Sequence, residues 1–349
     1  MVERVTLAPD YSCSRIIKGN WQLAERHGPP VDRSAALDGM RRFVEAGFDT
    51  FDCADHYVGV EELIGDFRKA YPDLARRLKV HTKVVPDRDV LARIKRADIE
   101  FLIDRARQRL GMDCLDLVQF HWWDYAIPGY VESMGWLADM SREGKIRLVG
   151  TTNFDVPRLQ EIVAAGISVA SNQLQYSVLD RRPDGGMVAF AKANGIALLC
   201  YGTVAGGFLS SRWLGAADPE APLANRSLVK YRLIIDEFGA WDLFQALLQT
   251  LDRIARNHGT SITAVATRWV LDQPGASAAI VGARTDAHLA DLLTADGLRL
   301  MVADRAAIDA VLAQARGPSG ECYALEREPG GRHANIMWTN QNLKGVGAR

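Results

Sequence analysis

The sequence has no long apolar run and no excess of charge of either sign. These two absences argue against a membrane-spanning protein and against a nucleic-acid-binding protein. The main uncharged stretch, residues 195–211, is interrupted by glycines at 202, 206 and 207. A membrane span needs about 20 consecutive apolar residues, so this stretch predicts a strand followed by a glycine loop. The first five residues contain no apolar leader run. We therefore expect a soluble, cytoplasmic protein without a membrane partner.

Lysine and arginine number 42 against 43 acidic residues, which gives a formal net charge of −1. Neither end carries a long run of like charges, so a nucleic-acid groove or a polybasic membrane patch is not expected.

Cysteine is scarce and scattered, without a close pair that would indicate a metal or redox motif. Such usage is typical of a reducing compartment. The cysteines are Cys13, Cys53, Cys114, Cys200 and Cys322.

The dinucleotide fingerprint G-x-G-x-x-G is absent as well, which argues against the usual open nucleotide-binding sheet. The chain instead alternates strand and helix patterns about eight times without a proline- or serine-rich linker. This favours a closed (β/α)8 TIM barrel of the α/β class, formed as one domain by residues 1–316. The predicted strands cover residues 16–23, 47–57, 78–85, 115–121, 146–150, 169–173, 196–201 and 278–281.

Two segments fall outside this alternation. Residues 202–239 have no sustained period, which predicts a functional loop. Residues 317–349 are expected to form an irregular tail that covers the mouth of the barrel or contacts another subunit. A homo-oligomer is therefore left open.

Ionisable side chains gather at the predicted strand ends. Asp52 and Tyr57 lie in the stretch 47–57, whose alternation points Asp52 away from the face that carries Phe51. Tyr57 is expected in the turn that follows this strand. Lys83 and His121 end the next two strands. Active sites of such barrels are built at the C-terminal ends of the strands, so these side chains predict one site.

The chemistry of these four groups suits carbonyl reduction. A nearby Lys83 ammonium lowers the pKa of the Tyr57 phenol, and the Asp52 carboxylate keeps that lysine protonated. His121 can hydrogen-bond a substrate oxygen beside Tyr57. Together they predict a site that protonates an oxygen and polarises a carbonyl, as hydride delivery requires.

Each residue also has a purely structural interpretation. Taken alone, Lys83 and Asp52 fit a structural ion pair. His121 alone fits a core histidine, and Tyr57 alone fits a packing residue. Their convergence at one place favours a functional site.

A metal site is not expected. The histidines at 56, 81 and 121 lack ligand spacing such as H-x-x-x-H, and no acidic pair accompanies them.

From about Ile16 to Leu293 the chain resembles the aldo-keto reductase superfamily. The matching pieces, in order, are GFDTFDCADHY, the lysine of HTKVV, DLVQFHWWD, GKIRLVGTTNF, SNQLQYSVLDRRP, CYGTVAGGFLS and VGAR. The resemblance implies a (β/α)8 barrel that binds NADPH in an extended form without a Rossmann domain. It also implies that Tyr57 is the general acid, with Lys83 and Asp52 as its tuning pair and His121 orienting the carbonyl.

The resemblance implies a cofactor site as well. Thr152, Asn153 and Gln173 would hold the nicotinamide carboxamide, and Tyr201 would stack on the ring. The loop 202–207 would approach the pyrophosphate. The full implied set is Asn20, Trp21, Thr152, Asn153, Gln173, Tyr201, Gly202, Val204, Ala205, Gly206, Arg212, Arg226, Gly282, Arg284, His288 and Asp291.

NADP(H) is the favoured cofactor. Arg284 would contact the adenosine 2′-phosphate, since a guanidinium grips phosphate in a bidentate way, and Arg212 and Arg226 would be further cationic partners. The chain departs from the family at His288, Asp291 and Leu292, where many relatives have Gln or Arg and then Glu-Asn. This departure leaves NAD(H) as an alternative cofactor.

An aromatic wall of Trp21, Trp122 and Trp123 is expected to line the substrate pocket, which suits an apolar or ring-bearing carbonyl compound. The predicted function is NADP-dependent interconversion of an aldehyde or ketone and its alcohol. Two alternatives stay open. One is a redox-sensing regulatory subunit that binds the cofactor and is similar to potassium-channel β subunits. The other is a sugar isomerase barrel without a nicotinamide.

Overall fold

The computed structural model describes residues 2–342. Met1 and residues 343–349, the last part of the predicted tail, lie outside the described residues. The strands are β1 (Arg4–Ala8), β2 (Tyr11–Ser14), β3 (Ile16–Gly19), β4 (Thr50–Asp52), β5 (Lys79–Val84), β6 (Leu115–Phe120), β7 (Ile146–Thr152), β8 (Ser171–Gln175), β9 (Ala197–Tyr201) and β10 (Ala276–Gly282).

Strands β3 to β10 close into a parallel barrel in chain order, with β10 pairing both β9 and β3. The predicted α/β class and (β/α)8 barrel are therefore confirmed. The helices are α1 (Arg33–Glu45), α2 (Val60–Ala70), α3 (Pro72–Ala75), α4 (Arg96–Leu110), α5 (Tyr130–Arg142), α6 (Val156–Ala164), α7 (Met187–Ala193), α8 (Arg226–Phe238), α9 (Ala240–Asn257), α10 (Ile262–Leu271), α11 (Leu289–Gly297), α12 (Val302–Leu312), α13 (Ala324–Arg327) and α14 (Arg332–Asn335). Within residues 2–342, no helix has the length and apolarity needed to cross a membrane.

The apolar residues form two cores. The larger core lies between the strands and the surrounding helices, where Phe51 of β4 meets Phe67 of α2 at 5.9 Å between ring centroids. The smaller core fills the inside of the barrel and includes Ile17 and Leu117. Alternation along each strand sends neighbouring side chains to these two sides.

An antiparallel hairpin that the sequence did not indicate, β1–β2, closes the N-terminal end of the barrel. Val5 and Leu7 pack against the inner core, and the Tyr11 hydroxyl lies 3.1 Å from Nε2 of buried His81. With one end plugged, ligands must enter from the C-terminal ends of the strands.

The prediction of a loop over residues 202–239 is wrong for its second half, which forms α8. The side chain of Asn225 caps this helix by accepting a hydrogen bond from the Leu228 amide at 3.0 Å. The buried residues of α8 recur at helical spacing, a period that the sequence prediction missed; they are Ser227, Leu228, Tyr231, Ile234, Ile235 and Phe238. Short 3₁₀ turns occupy Ala205–Gly207 and Ser211–Trp213.

The described part of the tail, residues 317–342, packs on the barrel through a buried ionic cluster. Arg182 pairs with Asp180 at 2.6 Å and with Glu326 of α13 at 3.2 Å. Lys230 of α8 approaches the second oxygen of Glu326 at 3.4 Å. This cluster joins three distant parts of the chain beside the mouth of the barrel.

The contact between α2 and α4 depends on a glycine. A methyl carbon added at Gly65 would lie 2.0 Å from the backbone carbonyl oxygen of Arg109. We therefore expect Gly65→Ala to lower the free energy of unfolding by about 2 kcal/mol, because backbone atoms must separate. In α5, a methyl carbon added at Gly135 would meet no atom within 4 Å. Gly135→Ala should therefore raise the free energy of unfolding by up to about 1 kcal/mol. Urea denaturation measures both, and equal effects would contradict this packing.

Candidate active site

A cavity of about 840 Å³ opens at the C-terminal ends of the barrel strands. It brings together most of the residues that the sequence predicted for a site. Those that line it are Trp21, Asp52, Tyr57, Lys83, His121, Trp123, Thr152, Asn153, Gln173, Tyr201, Gly202, Val204, Gly206, Arg212, Arg226, Gly282, Arg284 and His288.

A buried ion pair forms the floor of this cavity. Nζ of Lys83 on β5 donates to both oxygens of Asp52 on β4, at 2.9 and 2.7 Å, and to the Cys53 carbonyl at 2.8 Å. Asp52 also accepts hydrogen bonds from the amide nitrogens of Gln119 and Gln173, at 3.2 and 2.6 Å. Burial alone would lower the Lys83 pKa, but Asp52 and Tyr57 hold it above its ordinary value. Lys83 is therefore a protonated ammonium.

Tyr57 follows β4 and packs over this ammonium, with its ring centroid 5.1 Å from Nζ of Lys83. The Trp21 ring lies 4.8 Å from the Tyr57 ring. Burial raises the pKa of Tyr57 to about 12, while Lys83 acts in the opposite direction. The expectation that Lys83 would leave this phenol with a lowered pKa is therefore wrong for the net shift, since desolvation outweighs the ammonium. The phenol is a proton donor at neutral pH.

His121 lies just after β6 and is held by backbone. Its Nδ1 is 3.0 Å from the carbonyl oxygen of Thr152. Burial, together with the positive charge of Arg327, holds the pKa of His121 well below its usual range, although the contact with Thr152 acts in the opposite direction. The imidazole is therefore neutral.

One wall of the cavity presents amide and aromatic groups from three strands. The Tyr201 hydroxyl donates to the side-chain oxygen of Asn153 at 2.8 Å. Asn153 has a positive φ of 63°, a conformation that asparagine tolerates better than most residues. The amide nitrogen of Gln173 donates to Asp52 at 2.6 Å and to the side-chain oxygen of Gln119 at 2.9 Å.

The far end of the cavity carries arginines. Arg284 donates to the carbonyls of Pro29 and Pro30, at 2.8 and 3.0 Å. Arg226 donates to the Ile336 carbonyl, and its guanidinium lies 3.8 Å from the centroid of the Trp338 ring. This end can therefore hold a phosphate group.

Glycine at 282 and 206 allows the backbone to approach its neighbours closely. A methyl carbon at Gly282 would lie 2.1 Å from the side-chain nitrogen of Gln22, and one at Gly206 would lie 2.8 Å from the Tyr231 ring. Gly206 also has a positive φ of 63°. A side chain at either position would therefore force these neighbours to move.

Among the described residues, four predicted positions lie outside the cavity lining, and their roles stay predictions. Trp122 is fully buried because its indole nitrogen donates to the Ile127 carbonyl at 2.9 Å and its ring packs on Phe120. Asn20 is buried beneath the site, where it accepts from Lys18 and donates to the Asp52 carbonyl. Ala205 is fully buried. Asp291 lies 3.9 Å from His288 on the surface of α11.

Sequence reasoning allowed for a tail over the mouth of the barrel, but it did not name the residues that the tail contributes to the cavity. Tyr323 lines the cavity with its ring centroid 5.6 Å from that of His121, at a positive φ of 64°. Arg327 donates to the carbonyls of Trp122 and Asn153, both at 2.8 Å. No local motif marks these residues, because only tertiary packing brings the tail to the cavity. In the part of the chain that the structure describes, no cluster of His, Cys, Asp and Glu could hold a metal ion.

The barrel agrees with the comparisons to known proteins. The family model for the aldo/keto reductase family matches residues 15–313, so the chain belongs to that family and is an oxidoreductase. The family uses nicotinamide cofactors. Relatives are 23–29% identical, which leaves the substrate of this chain open.

Three curated relatives cover most of the chain. Aldo-keto reductase YhdN of Bacillus subtilis is 27% identical over 86% of this chain and 90% of its own length. NADH-specific methylglyoxal reductase of Escherichia coli is 23% identical over 84% and 93%. A 6-dehydroglucose reductase of Agrobacterium fabrum is 27% identical over 80% and 88%.

Solved structures support the fold. A glycerol dehydrogenase from Gluconobacter oxydans superposes with a TM-score of 0.74 at 23% identity, over 90% of this chain and 97% of that one. A thermostable aldo-keto reductase in complex with the inhibitor epalrestat has a TM-score of 0.70 at 23% identity, over 89% of this chain and 99% of that one.

Removing one partner of the buried ion pair should be costly. We expect Lys83→Met to lower the free energy of unfolding by about 3 kcal/mol, since it leaves the Asp52 carboxylate buried without its cation. The double variant Lys83→Met/Asp52→Asn should recover much of this loss, because the amide is neutral and still accepts from Gln173. Arg76→Met, which removes an exposed ion pair with Asp73, should change little. Urea denaturation tests all three, and a double variant no better than Lys83→Met would contradict the account.

Proposed function

We propose that the protein catalyses the NADP(H)-dependent interconversion of an aldehyde or ketone and its alcohol, with Tyr57 as the general acid and base. The observation that carries this proposal is the Lys83 ammonium, held by Asp52 and lying under the Tyr57 ring in the cavity. A phenol beside a fixed ammonium can give up a proton to a carbonyl oxygen and regain it.

The groups around the cavity fit an extended nicotinamide dinucleotide. Asn153 and Thr152 can bind the carboxamide, and the Tyr201 ring can pack against the nicotinamide. The glycine-lined segment at 202–206 leaves room for the pyrophosphate, and arginines lie beyond it. When bound in reduced form, this cofactor supplies a hydride to the carbonyl carbon.

The remaining steps belong to the chain itself. As the carbonyl carbon gains the hydride, the electron pair of the C=O double bond moves to oxygen and takes the Tyr57 proton. Lys83 stabilises the phenolate that results, because it lies close to the ring and is kept charged by Asp52. Burial of these groups excludes water and strengthens their interaction. Alcohol oxidation uses the same groups in reverse.

A preference for NADP(H) is supported by Arg284, whose guanidinium lines the end of the cavity away from Tyr57. A 2′-phosphate there would meet a delocalised cation that can bind two oxygens at once. Family membership alone leaves this preference open, since one relative is by name NADH-specific. Arg226 lines the same end and adds positive charge.

Small oxygenated substrates are supported by the names of the relatives, which include reductases of methylglyoxal and 6-dehydroglucose. The cavity floor is polar and carries several hydrogen-bonding side chains.

The cysteines of the chain are all free thiols, which agrees with a reducing cytoplasmic environment.

Removing the Tyr57 hydroxyl should abolish most turnover. We expect Tyr57→Phe to lower kcat for aldehyde reduction by at least about a hundredfold, since no other phenol among residues 2–342 packs over Lys83 to donate the proton. NADPH binding, followed by quenching of tryptophan fluorescence, should change less than about twofold, because the ring remains. Turnover close to that of the wild type would rule out the role of Tyr57.

The cofactor preference can be tested at Arg284. We expect Arg284→Ala to weaken NADPH binding by at least about tenfold and NADH binding by less than about twofold, because only NADPH carries the 2′-phosphate. Arg256→Ala, which removes an exposed guanidinium on α9, is the matched control and should alter neither. Equal losses for both cofactors would show that Arg284 does not contact the 2′-phosphate.

A further inference from the structure

Asn342 in the tail is buried, with 8% of its surface exposed, and its hydrogen-bonding groups all have partners. Its backbone N–H donates to Asp87 at 2.7 Å, and its backbone and side-chain oxygens both accept from Arg105 of α4. Its side-chain nitrogen donates to the Asp55 carboxylate and to the Val85 carbonyl, the latter at 3.0 Å. A buried amide bonded at each atom is held in one orientation.

The two acceptors of the Asn342 side-chain nitrogen are neighbours of the catalytic residues. Asp55 comes two residues before Tyr57, and Val85 comes two residues after Lys83. The backbone N–H of Asp55 donates to the Lys83 carbonyl at 3.3 Å, and the backbone N–H of Val85 donates to the Asp55 carboxylate at 3.1 Å. Asn342 therefore completes a bridge between the loop after β4 and the loop after β5.

The bridge requires an amide at position 342. A carboxylate and a carbonyl have no hydrogen to give each other, so only a group with two hydrogens can join Asp55 to Val85. A carboxylate at 342 would place a like charge against Asp55, and an apolar side chain would take a donor away from two buried oxygens.

Tyr57 depends on this bridge more than Lys83 does. The Lys83 ammonium is fixed by its own hydrogen bonds to Asp52 and to the Cys53 carbonyl. Tyr57 lies in the turn after β4, where its backbone N–H donates to the Ala54 carbonyl at 3.1 Å. The position of the phenol over the ammonium therefore follows the loop that Asp55 connects to the tail.

We propose that Asn342 is a positioning residue for the reaction, which holds the loop of Tyr57 against the loop that follows Lys83. Docking of the tail then sets the phenol over the ammonium. Asn342 is not among the residues that line the cavity, so it acts through Asp55 and Val85. The kinetic consequence of this inference rests on the proposed function.

The tail has a second contact with the cavity, and the two effects can be separated. Ile336, Met337, Trp338 and Gln341 line the cavity, so release of the tail would also weaken cofactor binding. A residue that positions Tyr57 changes kcat at saturating cofactor, whereas a residue that only holds a cover in place changes the Kd of the cofactor.

Asn342→Asp keeps the shape of the side chain and replaces the amide by a carboxylate. We expect it to lower kcat for aldehyde reduction at saturating NADPH by at least about tenfold, because a displacement of about 1 Å at a reacting group is costly. Asn340→Asp makes the same change at an exposed position of the tail, where the side-chain oxygen still accepts from the Asp89 N–H. This control should leave kcat within about twofold of the wild type. A kcat within about twofold of the wild type in Asn342→Asp would overturn the proposal, whatever happens to the Kd of NADPH.

Exchange of the two groups separates positioning from loss of folding. In the double variant Asn342→Asp/Asp55→Asn, the amide at position 55 can donate to the carboxylate at 342 while its oxygen accepts from the Val85 N–H. We expect kcat at least about threefold above that of Asn342→Asp, with recovery incomplete because the Val85 carbonyl loses its donor. A double variant no faster than Asn342→Asp would contradict the bridge.

The position of Tyr57 can also be followed without turnover. In ¹³C spectra of protein labelled at the tyrosine Cζ, with Tyr57 assigned by its loss in Tyr57→Phe, we expect the Tyr57 resonance to move in Asn342→Asp and to stay in place in Asn340→Asp. An unmoved resonance in Asn342→Asp would overturn the proposal. If the wild type reduces no aldehyde or ketone with either cofactor, the proposed function fails, and this spectrum still decides whether Asn342 positions Tyr57.

Discussion

The ion pair between Lys83 and Asp52 is the interaction on which the rest of the site depends. Two charges removed from water are costly, and their attraction offsets that cost only when the remaining hydrogen bonds are also made. Here Gln119 and Gln173 complete the shell of Asp52, and the Cys53 carbonyl accepts from Lys83. These partners come from several barrel strands, so the charged pair is fully hydrogen-bonded only when the barrel is closed. The same geometry fixes an ammonium beneath Tyr57.

Burial acts in opposite directions on the two uncharged members of the site. It raises the pKa of the Tyr57 phenol and lowers that of the His121 imidazole, because in each case the charged form loses its hydration. Both groups are neutral at ordinary pH as a result. Tyr57 is then a donor. Nδ1 of His121 also lies 3.0 Å from the Thr152 carbonyl oxygen, and this contact holds the ring in place.

The tail completes the mouth of the barrel. Tyr323 packs beside His121 near the floor, Trp338 covers Arg226 at the far end, and the Asn342 amide accepts from Arg105 while its backbone N–H donates to Asp87. The buried cluster around Glu326 holds the start of this segment. The space left for a substrate therefore depends on contacts between parts of the chain that are far apart in sequence.

The sequence alone determined the barrel and the positions of Asp52, Lys83 and His121, because strand periodicity and the ends of parallel strands are local properties that recur along the chain. It also placed Tyr57 in the turn after its strand. Tertiary structure decided what local patterns do not carry. It buried Trp122 away from the cavity. It also brought Tyr323 and Arg327 to the site. The pKa shifts of Tyr57 and His121 belong to this second group, since desolvation exists only once distant residues have packed together.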